Sequence, residues 1–417
     1  MKANLILFLC LSYFSTYFAN AQENKNNIYL KEYYEQKLNK YLAYDQEIKT
    51  HIEIGNSGVA VYASAQDRQI DKIEYYLSWN ELAVFRALVK QNVEQAYQLY
   101  QNKESPETLM HTLKKPDYVL NWDMQVFKPL TNVRIALDPG HVGGDMETAK
   151  MEWKYIEMDL GYKKIAFYEA DLTLSTAKIL KMRLESLGAT VMLTRNDPHS
   201  TAFGITFDQW FETNKAKFKK MTNESEKQFK SRIFYDEFRL KELAERAKII
   251  NRFRPDLTLI IHYNVDGAND PWNRPTEKNF NMAFIGGGFL KNELKEKEDR
   301  FHFLRLLLSD DIENSLSLSQ IVLQSFEKNL KVPTDPSTNY PKSLTTDAQG
   351  VYARNLTLTR RVNGVLCYGE SLFQDNIKEC QALSEKNIEI AGVRTSQRVV
   401  EVADAYFEAI INYIKAQ

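Results

Sequence analysis

The run Val133-Arg-Ile-Ala-Leu-Asp-Pro-Gly-His141-Val-Gly-Gly144 constrains this chain more than any other. A short apolar stretch, readable as a buried strand, stops at Asp-Pro-Gly and delivers a histidine between glycines. That arrangement puts an imidazole at the open end of a sheet with little bulk around it. Leu257-Thr-Leu-Ile-Ile-His262-Tyr-Asn264 repeats the design further along. From Val133 onward strand-like and helix-like segments alternate, the signature of an α/β fold with a mostly parallel twisted sheet flanked by helices. The expected series is a strand at 133–137, a helix at 171–187 closed by Gly188, and a strand at 189–194. A helix at 240–253 closed by Arg254-Pro255, strands at 257–261 and 365–368, and a last helix at about 399–414 complete it.

Three stretches interrupt the series. Residues 144–168 and 200–238 read as insertions. The second carries Phe203, Phe207, Trp210, Phe211 and Phe218 as an amphipathic helical stripe suited to packing on the core. Residues 266–350, with Pro271, Pro275, Gly286-Gly-Gly288 and Pro333 to Pro341, read as irregular, and long segments of that kind are commonly functional loops or lids. Residues 22–130 form a mainly helical N-terminal region. Trp79 to Tyr100 there has apolar residues at helical spacing, with Ser78 or Asn80 as the cap, and Gly58 to Ala63 suits a strand. His51 and His111 stand alone, so this region shows no catalytic constellation and leaves room for a regulatory protein partner. The expected division is 1–21, 22–130 and 131–417.

The first residues bear on the compartment. Lys2, the apolar run Leu5 to Phe18 and the ending Ala19-Asn20-Ala21 read as a secretory signal cleaved after Ala21. No later segment approaches the roughly 18 uninterrupted apolar residues that a membrane helix needs. No transmembrane segment is therefore expected after cleavage, and the expected location is periplasmic or extracellular. The remainder of the 417 residues is long enough for two domains or one heavily inserted domain. A net charge of -1 argues against a nucleic-acid partner, which usually demands a basic face. Cys10 leaves with the signal. Cys367 and Cys380 could pair in an oxidising compartment, but Cys367 lies in an apolar run, where a buried free thiol is the commoner state.

Two imidazoles at strand ends suggest a metal site, and imidazole suits zinc. Catalytic zinc sites commonly use three protein ligands and keep a fourth position open. The missing ligand should be a carboxylate or histidine on a neighbouring element. Glu169, in Glu169-Ala-Asp171-Leu-Thr-Leu174, stands at a helix start, where free N–H groups favour a carboxylate. On these residues alone, an ordinary helix-start acid is the simpler interpretation. Hydrolysis also needs a general base, and Glu370 follows the apolar run Val365-Leu-Cys-Tyr368 at another strand end. Open α/β sheets bind ligands at that edge. Asp138 and Asn264 are natural orienting residues beside the ligands, Asp138 serving the turn equally well. His199 and His302 read as surface residues, and Arg360-Arg361 as a solvated pair.

Taken in order, these blocks resemble the zinc-dependent N-acetylmuramoyl-L-alanine amidases, of the amidase-3 type, that cut peptidoglycan. The family's strand with an Asp-Pro-Gly-His-Gly-Gly-like loop is similar to Leu137-Asp-Pro-Gly-His141-Val-Gly-Gly144. Its Glu with Asp-Leu-Thr-Leu, then a helix and a strand ending Leu-Thr-Arg, matches Glu169-Ala-Asp-Leu-Thr-Leu174 and Leu193-Thr-Arg195. Its arginine–asparagine helix and histidine strand match Arg246 to Asn251 and His262-Tyr-Asn264, and its last block matches Glu370, Phe373 and Asn376.

The resemblance covers about 130–415. It implies Zn2+ held by His141, Glu169 and His262, with Glu370 as the catalytic carboxylate and Asp138, Asn264 and Arg246 as supporting or substrate-binding residues. The implied substrate is peptidoglycan or a muropeptide, cut between the lactyl group of N-acetylmuramic acid and L-alanine. Two departures stand out. The 144–168 insertion lengthens the path from His141 to Glu169 and brings Glu147, Glu152 and Glu157 as further candidate ligands or plugs. Around Glu370 the family's Val-Glu-x-Gly-Phe is replaced by Tyr-Gly-Glu-Ser-Leu-Phe. A metal-dependent carboxypeptidase or deacetylase of wall fragments, a non-catalytic peptidoglycan-binding homologue, and a structural envelope protein are the alternatives. The two insertions suit an autoinhibitory lid.

Overall fold

The computed structural model describes residues 25–113, 129–269 and 272–417. The signal expected at 1–21 and Cys10 lie outside the described residues. Two compact units are present, one drawn from Met1–Leu113 with Gly288–Ser309 and the other from Lys114–Gly287 with Asp310–Gln417.

In the first unit β1 (Ile52–Ile54), β2 (Gly58–Val61) and β3 (Tyr75–Ser78) form an antiparallel sheet. The helical spacing over Trp79 to Tyr100 splits into α1 (Leu82–Gln91) and α2 (Val93–Gln101). Asn92 makes the break. Its extended backbone ends α1, and its side chain accepts the Gln95 backbone N–H to cap α2. The helix Lys297–Leu308 also belongs to this unit, with Phe301 against the rings of Tyr75, Phe85 and Tyr100. His302 on this helix is buried, against the surface position expected for it.

The second unit is built on a seven-stranded sheet. Its strands are β4 (Arg134–Pro139), β7 (Thr190–Leu193), β8 (Leu257–Asn264), β9 (Met282–Ile285), β10 (Leu344–Thr345), β11 (Val351–Ala353) and β12 (Leu366–Phe373). The spatial order is β10-β11-β9-β12-β8-β4-β7. Strands β12, β8, β4 and β7 are mutually parallel, β9 runs antiparallel to β12, β11 runs parallel to β9, and β10 runs antiparallel to β11. Residues 144–168 make a short helix, α3 (Met146–Glu152), and a hairpin of β5 (Tyr155–Asp159) and β6 (Lys164–Tyr168). β13 (Ile388–Ile390) and β14 (Val393–Thr395) form a second small antiparallel pair.

Helix α4 (Glu169–Ser186) follows β6 directly. Helices α5 (Phe207–Asn214) and α6 (Glu226–Ile233) come from the 200–238 insertion, followed by α7 (Arg239–Phe253). Helices α8 (Asp311–Leu330) and α9 (Gln397–Lys415) pack on each other, α9 also on α4 and α8 also on β12. On the opposite face Ala247 and Ile250 of α7 pack with Ala136, Ile260 and Leu366 of the sheet. The stretch 266–350 is therefore far from irregular, since it supplies β9, β10, the helix Lys297–Leu308 and α8. Strands of two to four residues are too short to show a period of two, which is why they read as loop. The aromatic stripe of 200–238 forms its own apolar cluster: Phe207, Trp210, Phe211, Phe229, Phe234 and Phe238 gather around Val142, with Met151, Phe203 and Phe218 at the margin. Cys367 and Cys380 are both buried and unpaired with each other. No helix among the described residues is long and apolar enough to cross a membrane.

Candidate metal centre

The site is assembled at the C-terminal ends of three parallel strands. β4 ends at Pro139, and the chain turns at His141, whose φ of 68 is left-handed. The turn brings Gly140 against β8: a Cβ at Gly140 would lie 2.4 Å from Cε1 of His262, so the close approach requires glycine. His262 and Glu370 lie within their strands, which run further than the sequence indicates. They are direct partners in the β8–β12 register, so their side chains share one face. Glu169, fully buried, is the first residue of α4.

Three donor atoms converge. Nε2 of His141 is 3.0 Å from Oε1 of Glu169, Nδ1 of His262 is 3.2 Å from the same oxygen, and the two imidazole nitrogens are 3.0 Å apart. A tetrahedral zinc with bonds of about 2.0–2.1 Å sets its ligand atoms roughly 3.3 Å from one another. The His–Glu–His donor set thus fits a small divalent cation in both chemistry and spacing.

Each of the three donor residues is held from behind. Glu152 of α3 faces Nδ1 of His141 at 3.2 Å and accepts the Val142 backbone N–H at 3.1 Å. A proton on Nδ1, against that carboxylate, leaves the Nε2 lone pair for a cation. Glu169 accepts the Tyr263 backbone N–H at 2.9 Å and the Gln374 amide at 3.0 Å, with the Lys154 ammonium 4.0 Å away. The His262 ring lies flat on Tyr368, centroids 4.4 Å apart and planes 9° from parallel.

Charge and burial drive the titrations apart. Burial lowers the affinity of His141 for a proton, but the carboxylates of Glu169 and Glu152 outweigh it and push the imidazole up to about 9. Burial, with His141 nearby, pushes His262 down to about 4. Burial resists ionisation of Glu169, yet His141 and Lys154 hold it well below the usual carboxylate range. Burial and then the charge of Glu169 raise Glu370 to about 7, against the pull of Lys154, His141 and Arg354. A carboxyl poised near 7 can both take and return a proton.

The supporting residues divide by what they touch. Asp138 is buried, accepts the Thr194 hydroxyl, and meets Arg246 at 3.3 Å. Arg246 also donates to the carbonyls of Pro139, at 2.8 Å, and His141, and pairs with Glu242 at 2.8 Å. With 1% exposure Arg246 cannot meet a substrate, and it acts instead on the shape of the β4 loop. Asn264 accepts the Val265 N–H at 2.8 Å, while its Nδ2 is buried without a hydrogen-bond partner.

Of the three insertion glutamates, Glu152 reaches the site, whereas Glu147 and Glu157 form surface pairs with Lys227 and Lys150. Glu152 braces His141 rather than joining the donor cluster. The Asn251 amide donates to the Arg361 carbonyl at 3.0 Å, which puts Arg361 by the end of α7 that leads into β8, away from His262. Lys154 and Gln374 carry no sequence signal, because each meets Glu169 only through tertiary folding.

Residues 135–396 match the family model Amidase_3, described as N-acetylmuramoyl-L-alanine amidase. Solved structures similar to the chain include the CwlD amidase of Clostridioides difficile in complex with the GerS lipoprotein. That match has 18% identity and a TM-score of 0.39, over 69% of this chain and 100% of that one. The N-acetylmuramyl-L-alanine amidase Ami1 of Mycobacterium smegmatis matches at 12% identity and a TM-score of 0.39, over 69% and 99%. The catalytic domain of CwlV from Bacillus (Paenibacillus) polymyxa matches at 14% and 0.37, over 68% and 99%. No curated protein matches the chain in sequence.

Proposed function

The chain belongs to the N-acetylmuramoyl-L-alanine amidase family, enzymes of peptidoglycan, and we propose that it works outside the cytoplasm as a zinc amidase. The bond cut is the amide between the lactyl group of N-acetylmuramic acid and L-alanine. The observation that carries this reading is the convergence of His141, Glu169 and His262 donor atoms within 3.0–3.2 Å, with Glu370 on the next strand in register. The signal-like first 21 residues support an extracytoplasmic location.

Zinc, when bound by these three residues, supplies Lewis acidity toward the scissile carbonyl. The remaining work belongs to the chain. Glu152 fixes the ring of His141, and Tyr368 backs the ring of His262. Glu370 takes a proton from the attacking water and delivers it to the leaving amine of L-alanine, so the products are a lactyl carboxylate and a free stem peptide. Asp138 and Arg246 keep the β4 loop in shape.

Mass spectrometry of products from purified murein tests the reading. Stem peptides with a free L-alanine N-terminus should appear, vanish with a chelator and return with added zinc. Release of acetate or of a C-terminal amino acid would instead indicate a deacetylase or carboxypeptidase. Zinc retention with no product at all would indicate a murein-binding homologue.

A further inference from the structure

A row of rings leads away from the metal edge across β12, β9 and β11. Tyr368 stacks on His262 and lies 5.9 Å from Phe284, its register partner on β9. Phe284 in turn meets Tyr340 at 5.3 Å and Tyr352 at 6.3 Å. Arg354, the residue after β11, lays its guanidinium over Phe284 at 5.2 Å and over Tyr340 at 5.6 Å. Its backbone N–H donates to the Ile285 carbonyl at 3.0 Å, which fixes the start of the side chain at the strand end. No carboxylate among the described residues pairs with it, and its charge lies over two aromatic rings. A guanidinium held over rings rather than against a carboxylate keeps its N–H donors available, and those donors are a fork matched to a carboxylate. Arg354 is also within electrostatic reach of Glu370, as is Lys154.

We propose that Arg354 binds a carboxylate on the peptide side of the scissile amide, and so makes the site selective for acidic stem peptides. This rests on the amidase reading. Neighbouring strands are about 4.8 Å apart and a strand rises about 3.3 Å per residue. Phe284 lies two strands from His262 and two residues further back along them, so a group over it is roughly 12 Å from His262. An extended peptide advances about 3.5 Å per residue, which puts Arg354 three to four residues from the bond that is cut. N-acetylated sugars offer no charge for such a fork, whereas a stem peptide with side-chain or terminal carboxyls does.

The test compares two muramyl-L-alanyl peptides, one with free carboxylates and one with the same groups as carboxamides. The unmutated, zinc-loaded protein should cut the carboxylate peptide with a kcat/KM about 10- to 100-fold higher, the range for one charge-assisted fork. Arg354→Gln should collapse that preference toward one, mainly by raising KM for the carboxylate peptide. Arg354→Lys, which keeps the charge and loses the fork, should restore part of it. Equal losses on both peptides in Arg354→Gln, or no preference in the unmutated protein, would overturn the proposal while leaving the amidase reading intact. Failure of the unmutated protein to cut either peptide would overturn both.

Discussion

The ends of β4 and β8 each present a histidine to the same point, yet they hold it by opposite means. His141 stands on a left-handed turn outside its strand, braced by the charge of Glu152 from an inserted helix. His262 sits within its strand, placed by register with Glu370 and backed by a neutral ring, Tyr368. One imidazole is driven up to about 9 and the other down to about 4, although their nearest nitrogens are 3.0 Å apart. The contrast teaches that a sheet rim can fix an imidazole by register and a neutral ring. The loop imidazole beside it has a carboxylate to hold its ring and tautomer.

The sharpest way to break this comparison is to remove a ligand. Glu169→Ala or His262→Ala should abolish zinc retention and murein turnover together, read by metal content and product release. Next comes Glu370→Gln, which should keep the metal while turnover falls by about 10²- to 10⁴-fold, the range for loss of a general acid–base. If metal is lost as well, Glu370 belongs with the ligands. The comparison itself is tested by Glu152→Gln against Tyr368→Leu. Loss of the charged brace should weaken zinc affinity by about 10- to 100-fold, and loss of the neutral ring by clearly less; equal losses would erase the distinction.

The smallest effect concerns pH in the chelated protein. Burial raises the folded-state Glu370 to about 7 from 4.5. A raised acid favours the folded state at low pH, and that contribution disappears as pH climbs through 7. Thermal unfolding of Glu370→Gln should therefore match the unmutated protein near pH 4.5. It should gain in Tm up to about pH 7 and hold that advantage above. A constant difference across this window would count against the burial of a charged Glu370.

Much of this architecture was legible beforehand, and the reason is local. β4 and β8 are apolar runs punctuated by turn residues, and α4, α7 and α9 show apolar periodicity with caps or stops nearby. His141, His262 and Glu370 could be named because each follows an apolar run, although β8 and β12 continue past the last two. Glu169 opens α4, and its role comes from the family resemblance rather than from the helix start. His141, His262 and Glu370 fall on one rim because parallel strands share an edge, and the start of α4 brings Glu169 to it. Other parts depend on contacts that no window of sequence contains. β9 and β11 are strands only because neighbours pair with them. Glu152 could be seen as an acid near the site, but its place behind His141 depends on how α3 folds back. Gln374 meets Glu169 across a separation of 205 residues. The aromatic stripe of 200–238 was visible as packing material, and its association with Val142, the residue after His141, was not.

The β5–β6 hairpin has a consequence for how this protein can be altered. Tyr155 pairs with Tyr168, and the Glu169 N–H donates to the Lys154 carbonyl at 3.2 Å, so the chain returns to the point from which it left. For the His141, Glu169 and His262 cluster the hairpin is a closed detour, and the distance travelled along it is a free parameter. Extending a loop adds entropy cost only slowly, and at the tip Gly161 has nothing within 4 Å of the position a side chain would take. An epitope or a fluorescent label could be spliced in there. The geometry of the three donor residues would not register the added length.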